Sequence, residues 1–440
     1  METKIMKKKA VLLLLIPILF SRASFAEVSE VELKVLREQI QMLTHRLDEL
    51  EKARQQTNET VTRLDQAATV RVDEAVESKV NSVVEEQLED HLATVSWAQR
   101  LRWKGDFRYR YENIDQEDKD GRNRSRIRAR THLEANLSQT LEVGIGLATG
   151  GDDPVSSNQT IGGGGSSKDI KIDLAYFDWS GLANTNLIGG KFKNYLIRPG
   201  GKGLRWDADW RPEGLGAIWN NDTFFVQGLG TWLEGDSKSG TEFAWAVQTG
   251  MKIETGEIGN LSFGIGYTVF DIAGRTPLFG EPGDFYGNTF RPVPNPGGEP
   301  DPILVFAHDY RNYEASVEWK INPGGYPLAM FGNYTVNQEV DENDTGYLLG
   351  AKFGSAKARG TWDVTYYYER LEADATVGLV SDSDFGGGGT DAKGHVLSGT
   401  YAFHKSWNFR ATYFMNKINL RSGDPKDYDR LELDLNFKFQ

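Results

Sequence analysis

Two short runs of this chain hold cations at every second position. Over residues 100–113, Arg102, Lys104, Asp106, Arg108, Arg110 and Glu112 alternate with Leu101, Trp103, Phe107, Tyr109 and Tyr111. Over 122–137, Arg124, Arg126, Arg128, Arg130, His132 and Glu134 alternate with Ile127, Ala129, Leu133 and Ala135. Successive side chains of an extended chain point to opposite faces, so each run has a charged row and an apolar row. The two runs form a hairpin, with the two basic rows side by side. Guanidinium forks suit the oxygens of carboxylates and phosphates, and rows of Arg and Lys along a water-filled passage select anions. The alternative is pairing with acidic residues at inner positions elsewhere, such as Asp173, Asp207, Asp209, Glu314, Glu318, Asp363 and Glu369. That arrangement gives opposed basic and acidic walls and a transverse field.

The elements that must position these rows repeat one pattern. In the segment 428–440, Leu431, Leu433, Leu435, Phe437 and Phe439 share one face, and Arg430, Glu432, Asp434, Asn436 and Lys438 share the other. Period two with one apolar face and a near-terminal aromatic is the pattern of a strand between lipid and water. Placing arginines of the basic rows in mid-bilayer would cost roughly 2–4 kcal/mol each, so the charged rows face inward. The pattern predicts sixteen strands, at 100–113, 122–137, 140–150, 168–180, 184–193, 204–219, 222–234, 241–254, 259–271, 309–322, 326–338, 345–355, 358–371, 392–404, 406–419 and 428–439. The connections between them alternate short and long, as in outer-membrane barrels, and the even count puts both ends of the barrel on the periplasmic side. Trp97, Trp103, Trp179, Trp206, Trp210, Trp219, Trp407 and Phe437 lie near strand ends and are read as an interfacial girdle. The third outside connection, near 194–203 with Arg198 and Lys202, is the expected constriction, with 151–167 or 272–308 as alternatives because it is short.

Upstream the pattern differs. Residues 1–26 read as a secretory signal, with Lys4, Lys7, Lys8 and Lys9 before the apolar Ala10–Phe20 and a Ser24-Phe25-Ala26 cleavage site. Residues 27–96 carry Leu33, Leu36, Ile40, Leu43, Leu47 and Leu50 three and four apart, the seam of a coiled coil, here expected to join three chains. An isolated solvated helix is the competing reading. The barrel then occupies 97–440.

Around 103–220 the text resembles a family of porins from Gram-negative bacteria. The runs that carry the resemblance are Gly105 to Glu112, Arg122 to Arg130, Leu147 to Gly150, Ser157 to Thr160, Gly190-Lys191-Phe192 and Trp206 to Asp209. It implies an outer-membrane channel with no catalytic motif. A coiled coil before a sixteen-stranded barrel is also similar in layout to trimeric porins for dicarboxylates and for phosphate.

Composition sets the remaining bounds. At 440 residues with 26% charged residues and a net charge of −13, nucleic acid is not the expected partner. With no cysteine, disulfides and thiolate metal sites are out. The glycine runs lack a phosphate-loop context, 115–121 departs from a calcium loop, and the six histidines lack ligand spacing, so no metal or cofactor is expected. Expected partners are outer-membrane lipid and lipopolysaccharide, peptidoglycan through the coiled coil, two further copies of the chain, and small anionic or polar solutes. The expected pore-lining residues are Arg102, Lys104, Arg108, Arg110, Arg124, Arg126, Arg128, Arg130, Lys191, Arg205, Asp207, Asp209, Glu314 and Glu318. A non-selective diffusion porin, a barrel enzyme using His132, His308, His395 or His404, and an envelope tether are the alternatives.

Overall fold

The computed structural model describes residues 38, 42, 44–47, 49–60, 100–235, 242–254, 256, 259–277 and 283–439. The chain divides into two compact units between Thr94 and Val95. In the first, the described residues are helical, and Met42, Leu47 and Leu50 are exposed. The expected signal segment, most of the expected coiled coil and Trp97 lie outside the described residues.

Beside a separate two-stranded sheet in a connecting loop, Phe290–Val293 and Ile303–Phe306, the second unit is built on one antiparallel sheet closed on itself. Its strands are β1 (Leu101–Gln116), β2 (Arg122–Asn136), β3 (Leu141–Thr149), β4 (Ile170–Leu182), β5 (Thr185–Lys191) and β6 (Glu213–Asn220). Then follow β7 (Phe224–Glu234), β8 (Glu242–Glu254), β9 (Asn260–Phe270), β10 (Tyr310–Ile321) and β11 (Leu328–Asn337). The rest are β12 (Thr345–Gly354), β13 (Trp362–Leu371), β14 (Ala392–His404), β15 (Trp407–Ile418) and β16 (Lys426–Phe439). The two-residue strand Gln159–Thr160 pairs onto β2 as an accessory, so the 17-stranded sheet holds a sixteen-stranded barrel. β16 closes on β1 in register from Gly105↔Phe439 to Gln116↔Tyr428.

Alternation decides which face meets which medium. Trp103 and Ile265, at 65% and 63% exposure, mark the outward rows, while Arg110, Glu112 and Asp434 on the inward rows are buried. Outward aromatics gather at the end with the tight turns, where Trp103 meets Phe439 at 5.2 Å and Phe403 stacks on Trp407 at 4.5 Å. Gly105 makes room there, since a Cβ on it would lie 2.4 Å from the Phe439 ring. At the other end the connections are long, including 150–169, 192–212, 271–309 and 372–391.

One expected strand is corrected. The segment 204–219 becomes sheet only from Glu213. Asp207 Oδ1 accepts the Asp209 N–H at 2.6 Å, a turn that bends the chain, and Pro212 has no N–H for a ladder. Trp206 and Trp210 therefore leave the expected girdle. They stack at 4.9 Å in a buried cluster with Phe270 and Ala246.

Ile265 sits in mid-strand on the outward face. Ile265→Arg is expected to destabilise the barrel by about 2–4 kcal/mol in urea titrations from lipid vesicles, whereas Ile265→Val stays within about 1.5 kcal/mol.

Candidate functional site

The inner face of β1, β2 and β16 carries the two basic rows and the acids that answer them. Hairpin register sets Asp106 opposite Arg130, Arg108 opposite Arg128, Arg110 opposite Arg126 and Glu112 opposite Arg124. Asp106 takes both Arg128 and Arg130, each at 2.8 Å. Glu112 accepts from Arg124 and lies 3.6 Å from Arg126. On the closing side, Arg110 grips both oxygens of Asp434, at 2.7 and 2.9 Å, and reaches Glu432 at 2.6 Å. Arg430 pairs with Glu432 at 2.6 Å and Glu112 at 3.0 Å. Nearer the turn end, Arg102 and Lys104 both pair with Glu134.

Two long loops fold into the barrel against the remaining wall. The third loop, 192–212, buries Phe192, Leu196, Trp206 and Trp210 against Leu229, Ala244 and Ala246. These small and aliphatic inner positions on β7 and β8 leave space for it. Its Gly200 N–H donates to Glu318 at 3.1 Å, and Arg205 to Glu314 at 2.9 Å. Gln248 and Asn333 complete the shell of Glu314, at 2.9 and 2.8 Å, so the buried charge pair is surrounded by donors. The seventh loop, 372–391, meets the third where the Asp207 N–H donates to the Val380 carbonyl and the Ser383 N–H to Asp207. Phe385 fixes it to Phe414 and Val396 of the wall.

Each loop sends one carboxylate to the arginines and keeps one back. Asp209 receives Arg130 at 2.8 Å, and Asp384 receives Arg110 at 2.9 Å and Arg430 at 2.8 Å. Burial alone would raise both acids. The facing guanidiniums win, holding Asp209 at about 2 and Asp384 well below the usual carboxylate range. Asp207 and Asp382 are pushed up, by burial first and then by the neighbouring carboxylates. On the same loops, burial and then Arg410 bring Lys202 down to about 8.

Between these loops and the arginine wall lie two chambers. One of 680 Å³ near the turn end is lined by Arg108, Arg128, Arg130, Lys193, Arg198, Arg410 and Lys438 among others. A second of 190 Å³ deeper in is lined by Arg108, Arg110, Arg128, Lys202, Asp384 and Arg410 among others.

The structure brings most of the sequence-derived residues onto this inner surface, with changes. Arg205, Asp207 and Asp209 reach it from the third loop rather than from a strand, for the turn reason given above. Glu314 and Glu318 stand on the opposite wall, holding that loop. Lys191 is corrected: it continues the outward row of Leu187 and Gly189 and pairs with Glu213 at 2.5 Å at the loop end. The third loop is longer than the expected 194–203, spanning 192–212. His132 faces Asp173 at 3.4 Å inside, while His395 lies outside against Tyr366 and Tyr368. Sequence reasoning did not carry Arg430, Glu432 and Asp434 into the site, although closure of first strand on last would have placed them there. Asp382 and Asp384 sit in a glycine-rich loop with no periodic signal.

A family model described as "Putative porin" matches residues 114–277 and 306–439, more than half of the chain. No curated protein sequence matches. Among solved structures, the high-pH structure of Pseudomonas putida OprB aligns at 11% identity with a TM-score of 0.52, covering 78% of this chain and 95% of that one. Salmonella typhi OmpF in complex with daunomycin aligns at 13% identity and 0.45, over 77% of this chain and 97% of that one. A Rh. blastica porin mutant aligns at 9% and 0.44, over 77% and 100%. At these identities the OprB likeness supports the barrel fold.

The Arg205–Glu314 pair is the buried tie between the third loop and the wall. Arg205→Ala leaves the Glu314 carboxylate without its cation and is expected to cost about 3–5 kcal/mol in denaturant titrations. Arg205→Ala/Glu314→Gln together should recover part of that loss.

Proposed function

The chain belongs to this porin family, and from that premise we propose that it is an outer-membrane channel for passive diffusion of small hydrophilic anions. Solutes move down their gradient through the lumen, and the charged wall lowers the barrier for one sign of ion. The supporting observation is an imbalance around the larger chamber. Its carboxylates are engaged: Asp106 and Asp209 by Arg128 and Arg130, Asp434 by Arg110, and Asp363 by Lys352. Arg108, Lys193, Arg198, Arg410 and Lys438 line the same chamber with no carboxylate of the described residues in ion-pair range. A solute entering there meets uncompensated positive charge.

A general diffusion porin is the second reading. It is favoured by the ion pairs that tie Arg110, Arg128, Arg130 and Arg430 to loop and strand acids, because paired walls act through a transverse field and not through net charge. In either case the tight-turn end faces the periplasm, with residues 27–96 there after removal of 1–26. The helical segment joins three copies as a coiled coil and reaches toward peptidoglycan, while acidic loops such as Asp341–Asp344 meet lipopolysaccharide through divalent cations.

Reversal potentials in planar bilayers under a KCl gradient test the selectivity. Wild type should prefer chloride, and Lys193→Ala/Arg198→Ala should lower that preference at least twofold; cation preference in wild type selects the second reading. Because Lys202 is charged below about pH 8 and neutral above it, chloride preference should fall as pH rises from 7 to 9. Lys202→Met should flatten that profile.

A further inference from the structure

Along β1, the rungs on either side of Arg108 are both supplied with carboxylates by the chain itself. Below it, Asp106 is held by Arg128 and Arg130. Above it, Arg110 binds Asp434, Glu432 and the seventh-loop Asp384. These neighbours show what this wall takes: planar carboxylates gripped by guanidinium forks, bidentately at Asp434. Arg108 lies between them opposite Asn436, which in turn lies opposite Asn408. Its Nη2 donates to Asn158 Oδ1 at 2.6 Å, and its buried Nε has no hydrogen-bond partner among the described residues.

Arg410 is in a similar position for a different reason. It stands opposite Asp434 across β15 and β16, but both Asp434 oxygens are turned to Arg110 on the other side. Arg410 Nε instead donates to the Thr400 hydroxyl at 3.2 Å. Arg108 and Arg410 are thus two forks on strands separated only by β16 and offset by two residues, roughly 12 Å apart at the backbone given the usual strand spacing and rise. Both line the larger and the smaller chamber, which places them where the two adjoin. The neutral amides of Asn436, opposite Arg108, and of Asn408, two residues before Arg410, flank them, and Asn436 Nδ2 donates to Asn408 Oδ1 at 3.1 Å.

We propose that Arg108 and Arg410 form a binding subsite for the oxyanion group of a solute, a carboxylate or a phosphate, at the junction of the two chambers. The proposal rests on the channel reading above and adds a site that saturates, in place of a field that merely biases. Two forks and flanking amides match planar or tetrahedral oxygen groups in direction and number of donors. A halide offers no such match. Solutes bearing the group should therefore pause in the lumen and obstruct chloride.

The test is block of single-channel chloride current in the full-length protein, with succinate, inorganic phosphate and bromide as separate probes. In wild type, succinate or phosphate should reduce the current with a saturating concentration dependence, and whichever acts at the lower concentration identifies the group. Bromide should give no saturating block. Arg108→Lys and Arg410→Lys keep the charge that the fold requires but lose the fork, and each should raise the half-blocking concentration at least tenfold. Folding of each variant is checked by heat-dependent mobility on gels. If either oxyanion blocks both variants at the wild-type concentration, or blocks wild type no better than bromide, the subsite is overturned while the channel stands. If wild type prefers cations in KCl, the anion reading fails and takes the subsite with it.

Discussion

A sheet edge in hydrocarbon leaves backbone N–H and C=O groups without partners, so a sheet that spans a membrane has to close. In this chain closure sets β16 against β1, and the chemistry of the lumen follows from that meeting. Asp434 arrives opposite Arg110, and Glu432 opposite Glu112 with Arg430 beside it. Without this pairing, Arg110 would lose Asp434 and Glu432, and Arg430 would lose Glu112. The backbone requirement and the charge balance of the wall are satisfied by the same contact.

The inner surface divides its labour by side-chain size and polarity. Inner positions on β7 and β8 are small or aliphatic, with Leu229, Ala244 and Ala246, and they receive the aromatic body of the third loop. The opposite wall is crowded with guanidiniums and receives carboxylates from the third and seventh loops, Asp209 and Asp384. Ion pairs of this kind gain little net stability once desolvation is counted, but they fix a loop to one place on a wall. Asp207 and Asp382, held back from the arginines, are buried against each other's loops and kept toward the neutral form. The loops thus turn the carboxylates whose pKa is lowered to the arginines and those whose pKa is raised to each other.

Much of the barrel was legible because one physical rule acts at every residue. Lipid on one side and water on the other force period two, so the strands and the inward sense of Arg108, Arg128 and Glu314 could be read directly. The same rule misled at 204–212. Leu204, Trp206 and Trp210 alternate with Arg205, Asp207 and Asp209 as a strand would, yet the Asp207 turn and Pro212 make that stretch a loop packed inside. Lys191 was misplaced because a cation near a strand end can lie on the outer row where the sheet leaves the hydrocarbon, as its pairing with Glu213 does. Loop acids such as Asp384 had no periodic signal, and their role depends on where a folded loop returns to the wall.

Arg110 and its Asp434 partner are 324 positions apart in the chain. Contacts of such separation form late, because the intervening chain has to be ordered before they reward it. Until β16 docks, the barrel carries two faults at once, an unpaired strand edge and buried positive charge on β1. An unfinished barrel therefore differs from a finished one in its electrostatics as well as its hydrogen bonding. The step that seals the wall is also the step that gives Arg110 its Asp434 and Glu432 partners, so the hydrogen bonding and the charge balance of the lumen are completed together.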